Sequence, residues 1–253
     1  MRLGELVEGE SQFRQGIELA ERINDPVYKS IFYGYLSTIL QEQGKIAEAR
    51  VSIARSLRVS RSVHISPCIG FAFIMLGSFY VMQTITIEDE KKHRHLLHRG
   101  RTILQRCIAL DEIEAETKTE GKLLLAQVAL LTGELENAQR QATQTLQEAK
   151  QYELTWLVAR TQRLLGSIAA ARHEDESARQ YFEAALRTFQ KRGMYLEEAR
   201  TLRERGAALL AHVGLSPDAR QKAMQDLDAA LHMFSERGAE LDRQITEGVM
   251  GRA

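Results

Sequence analysis

The densest group of side chains able to do chemistry is His93, His95 and His98, in the tract KKHRHLLHRGR. Imidazoles three or four residues apart on a helix can share one metal ion. Only His95 and His98 keep that spacing, and Asp89 with His93 gives one further pair. A solvated basic face is therefore expected here, and no metal site. The same stretch, Lys91 to Arg101, carries five Lys and Arg and could touch phosphates. It has no interleaved aromatic residues and follows the acidic run Glu88, Asp89 and Glu90, so nucleic acid is not an expected partner.

The other chemical signatures are missing. The chain has no Gly-rich loop ending in Lys-Ser or Lys-Thr, no His-Glu-x-x-His, no Gly-x-Ser-x-Gly elbow and no Cys-x-x-Cys. The paired carboxylates Glu197-Glu198 and Glu112/Glu114 lie among Arg and Lys and read as surface ion pairs. No catalytic residue, no cofactor and no enzymatic activity are expected. Cys68 and Cys107 sit among apolar neighbours and are too few for a disulfide framework. They read as reduced core residues, which places the chain in the cytoplasm. Lys and Arg total 34 against 34 Asp and Glu, so no bulk attraction to nucleic acid or anionic membrane is expected.

The elements that carry these residues read as helices throughout. No stretch alternates with period two. Each of the three prolines follows a residue able to cap a helix, in Asp25-Pro26, Ser66-Pro67 and Ser216-Pro217, so each is read as a helix start. Apolar residues then recur at steps of three, four or seven, as in Leu154, Leu157, Leu164, Leu165 and Ile168. Turns fall at Gly44, Gly133, His173 and Gly193. The reading gives about eleven helices of 14 to 20 residues. Met1 to Glu10 has no apolar run and reads as no signal peptide. Ser62 to Ile87 has no charged residue, but its strongly apolar part, Cys68 to Met82, is shorter than the ~20 residues of a spanning helix. A helix buried between neighbours is expected there, and no membrane partner.

The helices repeat. Ala184-Ala185-Leu186 recurs as Ala229-Ala230-Leu231, Phe189 as Phe234, Arg192-Gly193 as Arg237-Gly238 and Leu196 as Leu241, all at an offset of 45. An offset of 40 relates Gly133 to His173, Ala138 to Ala178, Leu125 to Leu165 and Gly166 to Gly206. A small residue at Ser37, Gly77, Ala126, Gly166 and Gly206 would let a partner helix approach closely.

On these positions the chain resembles the tetratricopeptide family, best in LLGSIAAARHEDESARQYFEAAL, Leu164–Leu186. The resemblance runs from Pro26 onward. It implies an all-α, right-handed superhelical solenoid of antiparallel helix pairs, about five pairs plus a partial one at the N-terminus. One domain over 1–253 is expected: a partial repeat at 1–25, pairs at 26–62, 66–110, 112–151, 153–192 and 194–236, and a cap or tail at 239–253. Ser11–Ile23 reads as a second helix with a remnant of its first in Met1–Glu8, as in an array that continued upstream. The period is nearer 40 than the ~34 usual in the family, and HEAT and armadillo repeats, at ~40–47, remain the alternative. The long-repeat style is similar to the C-terminal arrays of bacterial maltose-regulator-type transcription activators and related signalling ATPases and cyclases.

The resemblance places the first helix of each pair along a concave groove. Counting from the Leu-small pairs gives an apolar floor of Phe71, Ile74, Met82, Leu123 and Gln127. It also gives a wall of Arg160, Arg163, Arg200 and Arg203. Guanidinium forks suit carboxylates or phosphates. The expected partner is a protein or peptide, either an acidic or C-terminal segment or another domain of the parent protein. Two alternatives stay open for these residues. The arginines can pair within their own helices, with Arg160 stacked on Trp156 and Arg200 beside Glu197 and Glu204, and Phe71, Ile74 and Met82 can be core. The expected function is a regulatory protein-interaction module; the alternative is a small-molecule effector sensor.

Overall fold

The computed structural model describes residues 5–85, 87, 89–211 and 216–252. Twelve helices and no strand occur among them: α1 (Glu5–Arg22), α2 (Pro26–Glu42), α3 (Ile46–Val63), α4 (Ser66–Thr84), α5 (Glu90–Ile108), α6 (Ala115–Leu131), α7 (Leu135–Gln151), α8 (Thr155–Ala171), α9 (Asp175–Arg192), α10 (Tyr195–Leu210), α11 (Pro217–Arg237) and α12 (Glu240–Met250). The fold is all-α. The helices form two compact units, one holding α1–α6 and the other α7–α12.

The junctions explain the regular helix length. A residue in the left-handed region stands at 24, 44 and 64, and again at 133, 153, 173 and 193, one every twenty residues. Gly44, Gly133 and Gly193 suit that conformation, whereas Asn24, His64, Glu153 and His173 adopt it against their Cβ. After 24, 44, 153, 173 and 193 the next residue's amide donates to the carbonyl five back, as in Lys45 to Leu40 at 2.8 Å, Glu174 to Ala169 at 2.9 Å and Met194 to Phe189 at 2.9 Å. This closes each of these helices on its own last turn.

Two of the three proline starts are capped as their sequence implies. Asp25 accepts from Val27 and Tyr28, and Ser216 from Ala219. At the third, α4 begins one residue earlier, with Ile65 at the cap and Ser66 already helical, so Ser66 caps nothing. Two further expectations change. α1 is continuous from Glu5, so Glu5–Glu8 are not a separate helix remnant; Met1–Gly4 lie outside the described residues. Residues 240–250 are a helix, α12, which brings the described helices to twelve.

In the first unit α2 packs on α1, α3 and α4, and α4 on α3, α5 and α6. Its core has two parts. Ile17, Tyr33, Leu36, Leu40, Ile53 and Phe79 join α1–α4, while Phe73, Ile74, Leu97, Leu104 and Leu124 join α4–α6. Each such side chain contributes about 1.5–3 kcal/mol by leaving water. α4 alone among the described helices is long and apolar enough to cross a membrane, and half of its apolar window is buried in the unit. Cys68 and Cys107 are buried free thiols. Burial, with a smaller effect of Glu120, pushes the Cys107 thiol up to about 12.

In the second unit α8 packs on α7, α9 and α10, and α10 on α9, α11 and α12. Phe182, Phe189 and Phe234 are its largest fully buried side chains, set among alanines. The small residues work as spacers in both units. A Cβ at Gly77 would lie 2.5 Å from Leu104, and one at Gly206 would lie 2.9 Å from the Ala223 carbonyl oxygen. At the equivalent position in α2, the Ser37 hydroxyl donates to Ala49 of α3 at 2.9 Å.

Candidate functional site

The four arginines of the expected wall do come together in the second unit, and the chain's own carboxylates answer them. Glu197, in the first turn of α10, accepts from Arg163 Nη1 at 2.8 Å and Arg200 Nη1 at 2.9 Å, with Arg160 Nε at 3.9 Å. Arg163 also reaches Glu204 at 3.3 Å. Asp242, in the first turn of α12, accepts from Arg200 Nε at 2.9 Å and Nη2 at 2.6 Å, and from Arg203. The same arginines meet rings: Arg160 stands over Trp156, Arg163 over Phe189 and Arg203 over Phe234, at 5.3, 5.9 and 5.5 Å.

The arrangement is one module used twice. Arg160 and Arg163 of α8 meet an acid at the third residue of α10. Arg200 and Arg203 of α10 meet an acid at the third residue of α12. Thr161, Thr201 and Thr246 mark the same register, each donating to the carbonyl four residues back at 2.7 Å. Burial by itself would raise the Glu197 carboxyl, but Arg163, Arg200 and Arg160 together hold it well below the usual carboxylate range. Asp242 is 1% exposed, and Arg200 and Arg203 hold it low against the same effect of burial. The guanidiniums expected to face a partner thus face the next helix of their own unit. Glu197 and Asp242 were legible as partners in one respect: each follows a leucine, Leu196 and Leu241, that the 45-residue offset relates.

The apolar floor divides. Ile74 is 1% and Leu123 3% exposed, so both belong to the core of the first unit. Phe71, Met82 and Gln127 are half-buried. Phe71 lies edge-on to Tyr35, with ring centres 5.1 Å apart. It can do so because Gly34 has no side chain; a Cβ there would lie 2.5 Å from the Phe71 ring.

Around Phe71 the structure assembles an aromatic face that the sequence reading missed. Tyr35 stacks on Phe13 of α1 at 5.4 Å, Phe13 meets Phe32 at 6.1 Å, and Phe32 stacks on Tyr28 at 5.9 Å. Tyr28 is 56% and Tyr35 44% exposed, although aromatic rings favour burial. The signal was present: Tyr28, Phe32 and Tyr35 fall at steps of four and three along α2, on the side opposite Ser30, Tyr33 and Ser37. Burial raises the Tyr35 hydroxyl pKa, and the charges adding to that rise are all carboxylates, Glu120, Glu116 and Glu114.

The basic tract lies on α5. Lys91, Lys92, Arg94, His95, His98 and Arg99 are exposed and His93 is half-buried. Arg94 pairs with Glu90, and Arg101 donates to Thr132 at 3.1 Å. Glu88 lies outside the described residues. Among the described residues no three His, Cys, Asp or Glu side chains gather as a metal site would need.

No family model and no curated protein matches the chain. Solved structures do. BtubC (BKLC) from P. vanneervenii aligns with a TM-score of 0.55 at 16% identity, covering 91% of this chain and 91% of that one. A signal transduction ATPase with numerous domains, carrying a tetratricopeptide repeat sensor, from Pyrococcus horikoshii aligns at 0.49 and 13% identity, covering 93% of this chain and 38% of that one. At such identity the likeness to BtubC concerns fold alone, and in fold this chain is similar to it: an all-α protein of packed helix pairs.

Proposed function

We propose that the chain is a protein-interaction module of regulatory role, working by binding and not by catalysis. In this reading a peptide or partner segment lies against the aromatic face of the first unit. The observation that carries it is the pair of half-exposed tyrosines, Tyr28 and Tyr35, fixed by ring contacts to Phe13, Phe32 and Phe71. Tyrosines held in place lose little entropy on binding and are frequent anchors of interfaces. The carboxylates acting on Tyr35 favour a segment that joins apolar anchors to cationic flanks. The arginine cluster serves the second unit internally, so an acidic segment is the lesser reading. The style of the repeats supports a place in a larger signalling protein.

The test is selection of binders from a displayed library of random twelve-residue peptides against the full chain. Enriched peptides should pair aromatic or aliphatic residues with Lys or Arg. Their affinity should drop by about tenfold or more in Tyr28→Ala/Tyr35→Ala, the usual weight of a hot-spot side chain, with the melting temperature little changed. A selection that yields only acidic peptides, or binders indifferent to both tyrosines, rejects the reading.

A further inference from the structure

A second surface of the first unit has a different chemistry. α3 and α5 both pack on α4, and between them lies a cleft of about 750 Å³. That volume falls in the range of about 300–1,000 Å³ usual for small-molecule sites. Its apolar surface comes from Leu57 of α3, Leu76 and Phe79 of α4, and Leu96 of α5.

The charged groups of the cleft point to an anion. Arg50 and Arg99 line it, are exposed to solvent, and form no ion pair with any described residue. Arg99 is held in place, its guanidinium 4.5 Å from the centre of the Tyr80 ring. Gln83 also lines the cleft, and its buried Nε2 meets no acceptor among the described residues. No Asp or Glu is among the lining residues. Elsewhere on this surface arginines find carboxylates, as Arg14 does with Glu10 and Glu48. Two arginines and a buried amide donor above an apolar floor fit a ligand with one anionic end and a hydrocarbon body.

We propose that this cleft binds a small amphipathic carboxylate in its free, monomeric form. The hydrocarbon body lies on Leu76, Phe79 and Leu96, and the carboxylate meets Arg50 and Arg99 at the solvent edge. The guanidinium fork suits a carboxylate's two oxygens, and the apolar floor excludes water from the rest. This site does not depend on the peptide-binding reading and lies on other residues.

Isothermal titration of the full chain with dodecanoate, below its micelle concentration, tests the proposal. One saturable site is expected. Arg50→Gln/Arg99→Gln should weaken it by about tenfold or more, as expected for lost charge-assisted hydrogen bonds. Both residues are exposed, so this variant keeps the fold. Ala54→Trp, which fills the cleft from its exposed edge, should weaken binding likewise, and dodecyltrimethylammonium should not bind. Sedimentation with phosphatidylglycerol vesicles separates a free ligand from a lipid surface. The proposal is overturned by no saturable dodecanoate binding, by equal binding of the cationic analogue, by unchanged affinity in the arginine variant, or by binding to vesicles alone.

Discussion

Asp242 grips Arg200 from the third residue of α12, one carboxylate oxygen accepting from Nε at 2.9 Å and from Nη2 at 2.6 Å. The same carboxylate takes Arg203 on its other oxygen. One buried acid thereby holds two guanidiniums, one of them shared with Glu197, and fastens α12 to α10. Removing one partner of a buried pair leaves uncompensated charge and costs about 3–5 kcal/mol. Asp242→Ala should therefore lower the stability of α7–α12 by about that amount, read as a fall in urea midpoint. A change under about 1 kcal/mol would mean that the pair is solvated as a surface pair is.

Acid should loosen the same unit. Glu197 and Asp242 have folded-state pKa values below their ordinary 4.5 and 3.8. A lowered carboxylate pKa stabilises the fold fully above the unfolded value, and that contribution is lost as pH falls through the folded value. The urea midpoint should stay level from pH 7 to about 5 and then decline. Glu197→Gln/Asp242→Asn, which cannot titrate at these sites, should start lower and decline less. Parallel curves for the variant and the parent chain contradict the assignment.

Helix spacing gives a contrast between two glycines. Gly77→Ala places a Cβ 2.5 Å from the fully buried Leu104 and should destabilise by about 1–3 kcal/mol, as overpacked cores do. Gly248→Ala, in the last turn of α12 with nothing within 4 Å, should be neutral or gain up to about 1 kcal/mol. Thermal unfolding of the two variants checks both signs.

The left-handed junctions give another. Glu153 has φ 55° and Gly193 φ 63°. Glu153→Gly should raise stability by about 1 kcal/mol, because a Cβ is strained in that region, and Gly193→Ala should lower it by a similar amount. No change in either variant would show that the junction backbone relaxes to suit the residue.

Much of the fold was legible because local physics fixes it. The 40-residue offsets reflect helix pairs closed by left-handed turns, and glycine marks the turns at Gly44, Gly133 and Gly193. Asn24, His64 and Glu153 adopt the same backbone without a glycine, since tertiary packing overrides their preference, so they gave no punctuation. Of the site, the sequence grouped the four arginines, and the structure gathers them around Glu197 and Asp242. Pairing them with Glu197 and Asp242 requires knowing which helix follows which in space, which intrahelical spacing does not reveal. Ile74 differs from Phe71 mainly by a rotation about α4. In helices as apolar as α4, with no polar face to mark the outside, that rotation is invisible in the sequence.

The central claim is that partners meet the aromatic face of α2 and α4 and not the arginine cluster of α8 and α10. Hydrogen–deuterium exchange of the full chain, with and without a selected peptide at saturation, measures this directly. The expected result is added protection within residues 26–42 and 66–80, abolished in Tyr28→Ala/Tyr35→Ala. Protection confined to residues 155–171 and 195–210 would contradict it and return the binding site to the arginines.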